Sequence, residues 1–318
     1  MKLKTRFLLL ILLPTVIFFA GTITYVAFDA RKITQKNAEE LLVSDGEALS
    51  YELQNEFENP MHSIRMIANT FEGILNEARI PDREDANLML RQLLRNNTNL
   101  TAAWMFWKEN AFDGKDSQYK NTHGHDATGR FIPKWSRDEY GNFIVNPIVG
   151  YDEPGPLKDS LDYIFSTGEP ALFEPMEYVL NGEIQLLSTI AVPIKVNGNI
   201  VGIVGADLTL VDINRIVNEF TFYETGFAGL ITNNGTVVAH RNAELIGANY
   251  FESNSMANHP ETKRIMQSIK EGNTDMMEGF SDSLQTDVYR LFIPLHIKGI
   301  KTPWSTFIAV PKDKVTQE

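Results

Sequence analysis

No cysteine occurs anywhere in the 318 residues. Thiolate zinc sites, iron–sulfur clusters, cysteine nucleophiles and disulfide frameworks are therefore excluded. A chain without thiols also suits folding in an oxidising compartment. Basic charge is scarce as well: 29 Lys and Arg stand against 41 Asp and Glu, a net charge of −12. Nucleic acid or anionic lipid is held by a basic patch, so neither is an expected partner of the acidic part. No Gly-x-Ser-x-Gly, no Gly-rich loop ending in Gly-Lys-Ser/Thr and no His-Glu-x-x-His is present. Nothing in the chain points to catalysis, and no catalytic residue, metal or cofactor is assigned.

Two further absences are local. Phe7–Phe28 runs 22 residues without a charge and follows Lys2, Lys4 and Arg6. At 1.5 Å per residue such a helix crosses the ~30 Å hydrocarbon core of a bilayer. The basic flank places residues 1–6 in the cytoplasm. A cleaved signal peptide has a shorter apolar core of about 7–15 residues, so an uncleaved membrane anchor over 7–28 is expected, with the rest extracytoplasmic. From Asp29 to about Glu77 the chain has few breakers. Leu41, Leu42, Leu49, Leu53, Phe57, Met61, Ile64, Ile67, Phe71 and Ile74 recur at spacings of mostly three, four and seven. That is one apolar stripe on a long helix, a stalk over residues 29–80 that Pro60 would kink. The stripe through Leu42, Leu49, Leu53 and Phe57 is wider than a single module needs, which predicts a parallel homodimer along this helix.

A second helix is expected near Asp85–Arg95, and strands follow. Thr101–Trp107 is apolar on both faces, as a buried strand is. Asn181-Gly182, Asn197-Gly198 and Asn234-Gly235 each separate apolar runs, and Asn-Gly is the preferred pair for a two-residue hairpin turn. Ala171–Leu180, Glu183–Lys195 and Asn199–Leu210 then form an antiparallel meander, and Val211–Phe220 returns to helical spacing. Val192–Gly198 (VPIKVNG) is echoed by Ile293–Gly299 (IPLHIKG), with proline and glycine each displaced by 101 residues. Two α+β modules in tandem, each on an antiparallel sheet, account for this repeat. Their expected bounds are 81–220 and 221–312, with 313–318 leading towards a second membrane helix.

Five strings in this order, WKENAFDGKD (Trp107–Asp116), GRFIPKWSR (Gly129–Arg137), EPMEYVLNGEIQLLSTIAVPI (Glu174–Ile194), GNIVGIVGADLTL (Gly198–Leu210) and TPWSTFIAVPKDKV (Thr302–Val315), resemble the double Cache sensor domains of bacterial chemoreceptors and sensor kinases. The resemblance covers about Asp29–Val315. It implies PAS-like modules on a long helix and a small ligand in the membrane-distal one. It also implies a conformational signal passed across the membrane to a cytoplasmic output domain. Such outputs include chemotaxis signalling, a histidine kinase or a diguanylate cyclase; an anchored binding protein without output is a further alternative. Many members carry a Trp-Tyr pair and then a proline where this chain reads GYDEPGPLKDSLDY (Gly150–Tyr163), which has no tryptophan.

The aperiodic stretch Lys108–Glu153 reads as flaps over a ligand. Asp207 shares a strand face with Val201, Ile203 and Gly205, so its carboxylate sits on an apolar row. A buried charge needs a partner, and a cationic amine on the ligand would supply one; capping of the following helix is the competing role. In relatives that recognise amino acids, the matching aspartate is thought to hold the amino group. Arg130 can fork a carboxylate or pair with Asp138 or Asp152. Trp135 can stack on a ring or cation or fill the core. Tyr151 and Asp152 fall where the family's contacting tyrosine and acid tend to lie, or in a plain surface turn. Trp107 is either pocket aromatic or core. The expected ligand is therefore an amino acid, an amine or a nitrogenous base. His123 and His125 read as a solvated loop rather than a metal site, and Asp113 and Asp116 as Asx-turn residues.

Overall fold

A computed structural model describes the backbone of residues 3–180 and 183–315. It also describes the side chains from Leu12 onward, apart from Leu13, Arg31, Gln35, Val179, Leu180, Glu183 and Asn254. One helix, α1 (Leu3–Asn76), runs through Pro14 and Pro60. Among the described residues no helix is long and apolar enough to cross a membrane; Phe7–Ile11 and Leu13 of the expected span lie outside the described side chains. After α2 (Arg83–Asn96) come β1 (Leu100–Trp107), β2 (Pro133–Arg137), β3 (Phe143–Pro147), α3 (Pro156–Thr167), β4 (Ala171–Leu172), β5 (Met176–Leu180), β6 (Glu183–Val196) and β7 (Asn199–Thr209). The second half continues with α4 (Val211–Glu219), β8 (Phe227–Ile231), β9 (Val237–His240), α5 (Asn254–Ala257), α6 (Thr262–Glu271), β10 (Asp275–Ser281), β11 (Thr286–Leu295), β12 (Trp304–Pro311) and α7 (Lys312–Val315). The strands form two antiparallel sheets, ordered β3-β2-β1-β7-β6-β4 (with β5 also on β6) and β10-β11-β12-β8-β9.

The apolar stripe of α1 serves both sheets. Leu42, Leu49, Leu53 and Phe57 are at most 1% exposed. Gly46 lies so close to the second sheet that a Cβ there would meet Ile293 and Ile308 at 2.5 and 2.7 Å. Phe57 packs edge-on against Trp304 of β12, and Phe71 edge-on against Trp107 of β1. The residues that argued for a homodimer are thus covered within the chain: the second sheet, invisible to a helical pattern, takes the surplus width. Beside each phenylalanine a glutamate holds a backbone N–H of the repeat. Glu58 accepts the backbone N–H of Lys298 at 2.6 Å, and Glu72 that of Lys195 at 2.7 Å.

Hairpins follow the Asn-Gly signals unevenly. Asn197 and Gly198 both have positive φ, 49° and 81°, and join β6 to β7 as a tight turn. Asn181-Gly182 lies outside the described residues. At Asn234-Gly235 only Gly235 has positive φ. The connection closes further out, by Thr232 N–H on the Thr236 carbonyl at 2.9 Å, so β8–β9 is a wider turn. Residues 173–175 split the run Ala171–Leu180 into β4 and β5.

His240 on β9 is 2% exposed, wedged between the rings of Phe227 and Phe307. Burial lowers its pKa to about 4, with the Arg241 charge pushing the same way. The folded state therefore prefers neutral His240, and the unfolded chain binds the extra proton between pH ~6.5 and ~4. Stability should fall as pH drops through that window, by about 2 kcal/mol from pH 7 to pH 5 on account of this group. Denaturant titrations at several pH values should show that slope, and His240→Gln should flatten it; an equal slope in the variant would assign the effect elsewhere.

Candidate functional site

The first sheet has two faces. Ala103, Met105 and Trp107 of β1 turn towards α1, while Trp104 and Phe106 turn the other way with Ile203, Ala191 and the apolar side of α3. On this second face, register brings four polar or aromatic side chains together. Asp207 of β7 pairs across from Ala102 and Thr189, Trp104 stands opposite Gly205, and Lys134 of β2 stands opposite Trp104. Pro147–Val149, Leu157, Ser160, Met176 and Tyr178 close over them to leave a cavity of about 230 Å³. Gly205 makes this packing possible, because a Cβ there would lie 2.2 Å from the Trp104 ring.

Asp207 is 4% exposed and fully engaged. Oδ1 accepts from Trp104 Nε1 at 3.1 Å and Thr189 Oγ1 at 2.9 Å, and Oδ2 pairs with Lys134 Nζ at 2.7 Å. It does not cap α4, whose N-cap, Leu210, makes no side-chain cap bond. Burial pulls the Lys134 ammonium towards neutrality, but the Asp207 charge and hydrogen bond outweigh it and raise its pKa. Tyr178, 6.0 Å from Lys134 by its ring centre, has its pKa raised by burial and by Asp207, with Lys134 opposing. In this structure Lys134 supplies the cationic partner that the buried Asp207 carboxylate needs.

Arg130 and Tyr151 lie on the same face one step along β1, against Phe106, but outside the cavity wall. The Arg130 guanidinium stacks 4.2 Å over Phe106 and 5.3 Å over Tyr151, and its Nε donates to the Trp107 carbonyl. Among the described residues no ion pair joins Arg130 to Asp138 or Asp152. Tyr151 donates to Asp126 at 2.7 Å. Trp135 and Trp107 sit on the opposite face. Trp135 donates to Asn87 of α2 at 2.9 Å beneath Arg91, and Trp107 is fully buried between Phe71 and Phe112. Asp152 is exposed in the turn before α3. The structure thus brings only Asp207 of the sequence candidates to the cavity, with Arg130 and Tyr151 adjoining. Lys134, Trp104, Thr189 and Tyr178 escaped the sequence reading, although the two-residue period of β2 puts Lys134 opposite in face to Trp135.

The flap between β1 and β2 is pinned by Arg83, which opens α2. Its guanidinium donates to Asp113 at 2.8 and 2.6 Å, to Asp116 at 2.7 Å and to the Gly129 carbonyl at 3.1 Å. It also stacks 4.2 Å over Tyr119. Burial alone would raise the Asp113 pKa, but the Arg83 hydrogen bond and charge take it below the usual value. Gly129 must be glycine, since at φ 88° an added Cβ would fall 1.7 Å from the Asp116 carbonyl oxygen. Asp113 does make the expected Asx turn, to Lys115 N–H at 2.9 Å, but both acids chiefly hold Arg83. His125 is buried rather than solvated, stacked 5.1 Å from Tyr119.

A family model described as Cache domain matches residues 29–318. The chain belongs to the Cache domain family. This Cache chain is 24% identical over 246 residues to the methyl-accepting chemotaxis protein TlpQ of Pseudomonas aeruginosa, covering 72% of this chain and 33% of that one. The chain therefore spans about a third of the length of that curated relative. Among solved structures, the extracellular domain of mmHK1S-Z2, assigned as a histidine kinase, superposes with a TM-score of 0.74 at 26% identity, covering 87% of this chain and 98% of that one. The ligand-binding domain of the amino acid chemoreceptor PctB of Pseudomonas aeruginosa, in complex with L-Arg, matches with a TM-score of 0.56 over 89% and 99% of the two chains. At 18% identity this last likeness is one of fold. Homologues of this Cache chain are thus chemoreceptor ligand-binding domains and histidine kinase extracellular domains.

Proposed function

We propose that this Cache domain is the extracytoplasmic sensing part of a membrane receptor and binds a small zwitterion of the amino acid class in the cavity over Asp207 and Lys134. The observation that carries this reading is the ion pair itself, a buried carboxylate and a half-buried ammonium side by side on the cavity floor. A ligand ammonium can take Asp207 while its carboxylate takes Lys134, so both protein charges keep a partner as the ligand enters. A bare amine would displace Lys134 without offering it anything. The volume lies just below the range of about 300–1,000 Å³ for ligand pockets, which suits a small molecule. Amino acid binding by the PctB domain supports the same class.

The membrane-anchored topology, with residues 1–6 cytoplasmic, belongs to this proposal. Val16, Phe18, Phe19, Ile23, Val26 and Phe28 of α1 are all more than half exposed, an apolar surface that lipid would cover. Pairing of two copies would use the outward Leu41, Tyr51 and Met66. A chemotaxis output is supported by the TlpQ likeness, and a histidine kinase output by the higher superposition on mmHK1S-Z2.

Calorimetry with a panel of amino acids and matching amines tests the ligand class. Asp207→Asn and Lys134→Met should each weaken amino acid binding about ten- to hundredfold, the scale of a charged hydrogen bond. A bare amine that binds wild type and Lys134→Met equally well would overturn the zwitterion reading, and no saturable ligand on this face would overturn the site.

A further inference from the structure

The second sheet carries a larger cavity, of about 520 Å³, between β8, β9, β11 and the segment 242–255. Its wall includes Phe227 and Val237, the ring of Tyr250, and Arg290 of β11. Arg290 is 2% exposed, as buried as any charged side chain described. Its Nη2 donates to the Phe280 carbonyl and to Ser255 Oγ, and its Nη1 has no hydrogen-bond partner. No ion pair among the described residues includes it, whereas Arg83, the other buried arginine, is held by two carboxylates. A guanidinium removed from water without a counter-charge is strongly unfavourable unless something supplies one. The acids of this wall, Glu252 and Asp282, are both exposed. Asp282 Oδ2 is occupied by the Ser255 N–H at 3.0 Å. His240 also faces the cavity but is held neutral at pH 7 by burial.

We propose that this cavity is a second ligand site, which takes a small monocarboxylate with its carboxylate on Arg290. The polar atoms already in place suit that end of the molecule: Arg290 holds an unpartnered Nη1, and Tyr250 offers a phenol beside it. Burial raises the pKa of that phenol while the Arg290 charge pulls the other way, which keeps Tyr250 a donor at neutral pH. Phe227 and Val237 suit a short apolar body. Glu252 and Asp282, on the open side, disfavour a second carboxylate at the far end of the ligand and so separate monocarboxylates from dicarboxylates.

The test is calorimetry and thermal shift on the whole chain with acetate, propionate, benzoate and succinate. At least one monocarboxylate should bind saturably, more tightly than succinate. Arg290→Met should weaken it tenfold or more, and Tyr250→Phe by a smaller factor. Should Arg290→Met fail to fold, Ala248→Phe, at an exposed position of the wall, fills the cavity from its solvent side and should abolish binding with the fold intact. Lys134→Met in the first cavity should leave this binding within twofold of wild type. The proposal is overturned by absence of saturable monocarboxylate binding, by binding that survives Ala248→Phe, or by loss in Lys134→Met instead.

Discussion

Arg83→Met should destabilise the chain by about 3–5 kcal/mol, the usual consequence of removing one partner from a buried ion pair. Two carboxylates at 5% and 7% side-chain exposure would remain without the guanidinium that pairs with both. The Tyr119 and Phe131 rings would also lose the cation stacked on them. Arg83→Lys retains the charge but not the fork, and should fall between wild type and methionine. Urea unfolding reads the effect as a lower midpoint at unchanged slope. A loss below about 1 kcal/mol would mean that the flap between β1 and β2 is held by something other than this cluster. Acid should mimic the substitution in part. The Asp113 pKa is depressed in the folded state, so its contribution is present above its unfolded pKa of about 3.9 and is lost as pH falls below that.

Gly205→Val should do comparable damage by another route. The added side chain must enter the space of the Trp104 indole, where even a Cβ would sit 2.2 Å from the ring. The indole can only move off the strand, and doing so withdraws its N–H from Asp207. Overpacking of this kind costs about 1–3 kcal/mol, and the lost hydrogen bond to a buried charge about 1.5–3 more. Stability and ligand affinity should therefore fall together, as they should in Lys134→Met, which leaves the buried Asp207 carboxylate without its counter-charge. Parallel unfolding and binding curves would measure both. A Gly205→Val protein of wild-type stability with wild-type affinity would mean that Trp104 does not orient Asp207.

Much of the frame could be read from residue order. The spacing of Leu42, Leu49, Leu53 and Phe57 marks α1, and Asn197-Gly198 marks the β6–β7 turn, because both are local regularities. Asp207 was legible as a buried acid for the same reason, alternation along one strand. Its partners were not. Lys134 and Thr189 reach it only through the register of β2 on β1 and of β6 on β7, and nothing in a single strand states which neighbour it will meet. Trp135 and Trp107 are pocket candidates by their aromatic faces, while the pleat turns them to the side where α2 and α1 cover them. The Arg83 cluster was hidden similarly, since Arg83 and its acids are thirty and more residues apart and each looks like ordinary surface alone.

Phe57-Glu58 and Phe71-Glu72 are 14 residues apart, close to four turns of an α-helix and roughly 21 Å along its axis. The two sheets are therefore held in phase by a count of residues. One alanine inserted into α1 between Glu58 and Phe71 would rotate the upper pair by about 100° relative to the lower. Only one sheet could then keep both its ring contact and its glutamate bond. Four inserted residues would bring the pairs back to within about 40°, at a separation greater by roughly 6 Å. The helix thus works as a keyed shaft: the sheets can turn with it or slide with it together, and neither can do so alone without giving up its phenylalanine and its glutamate.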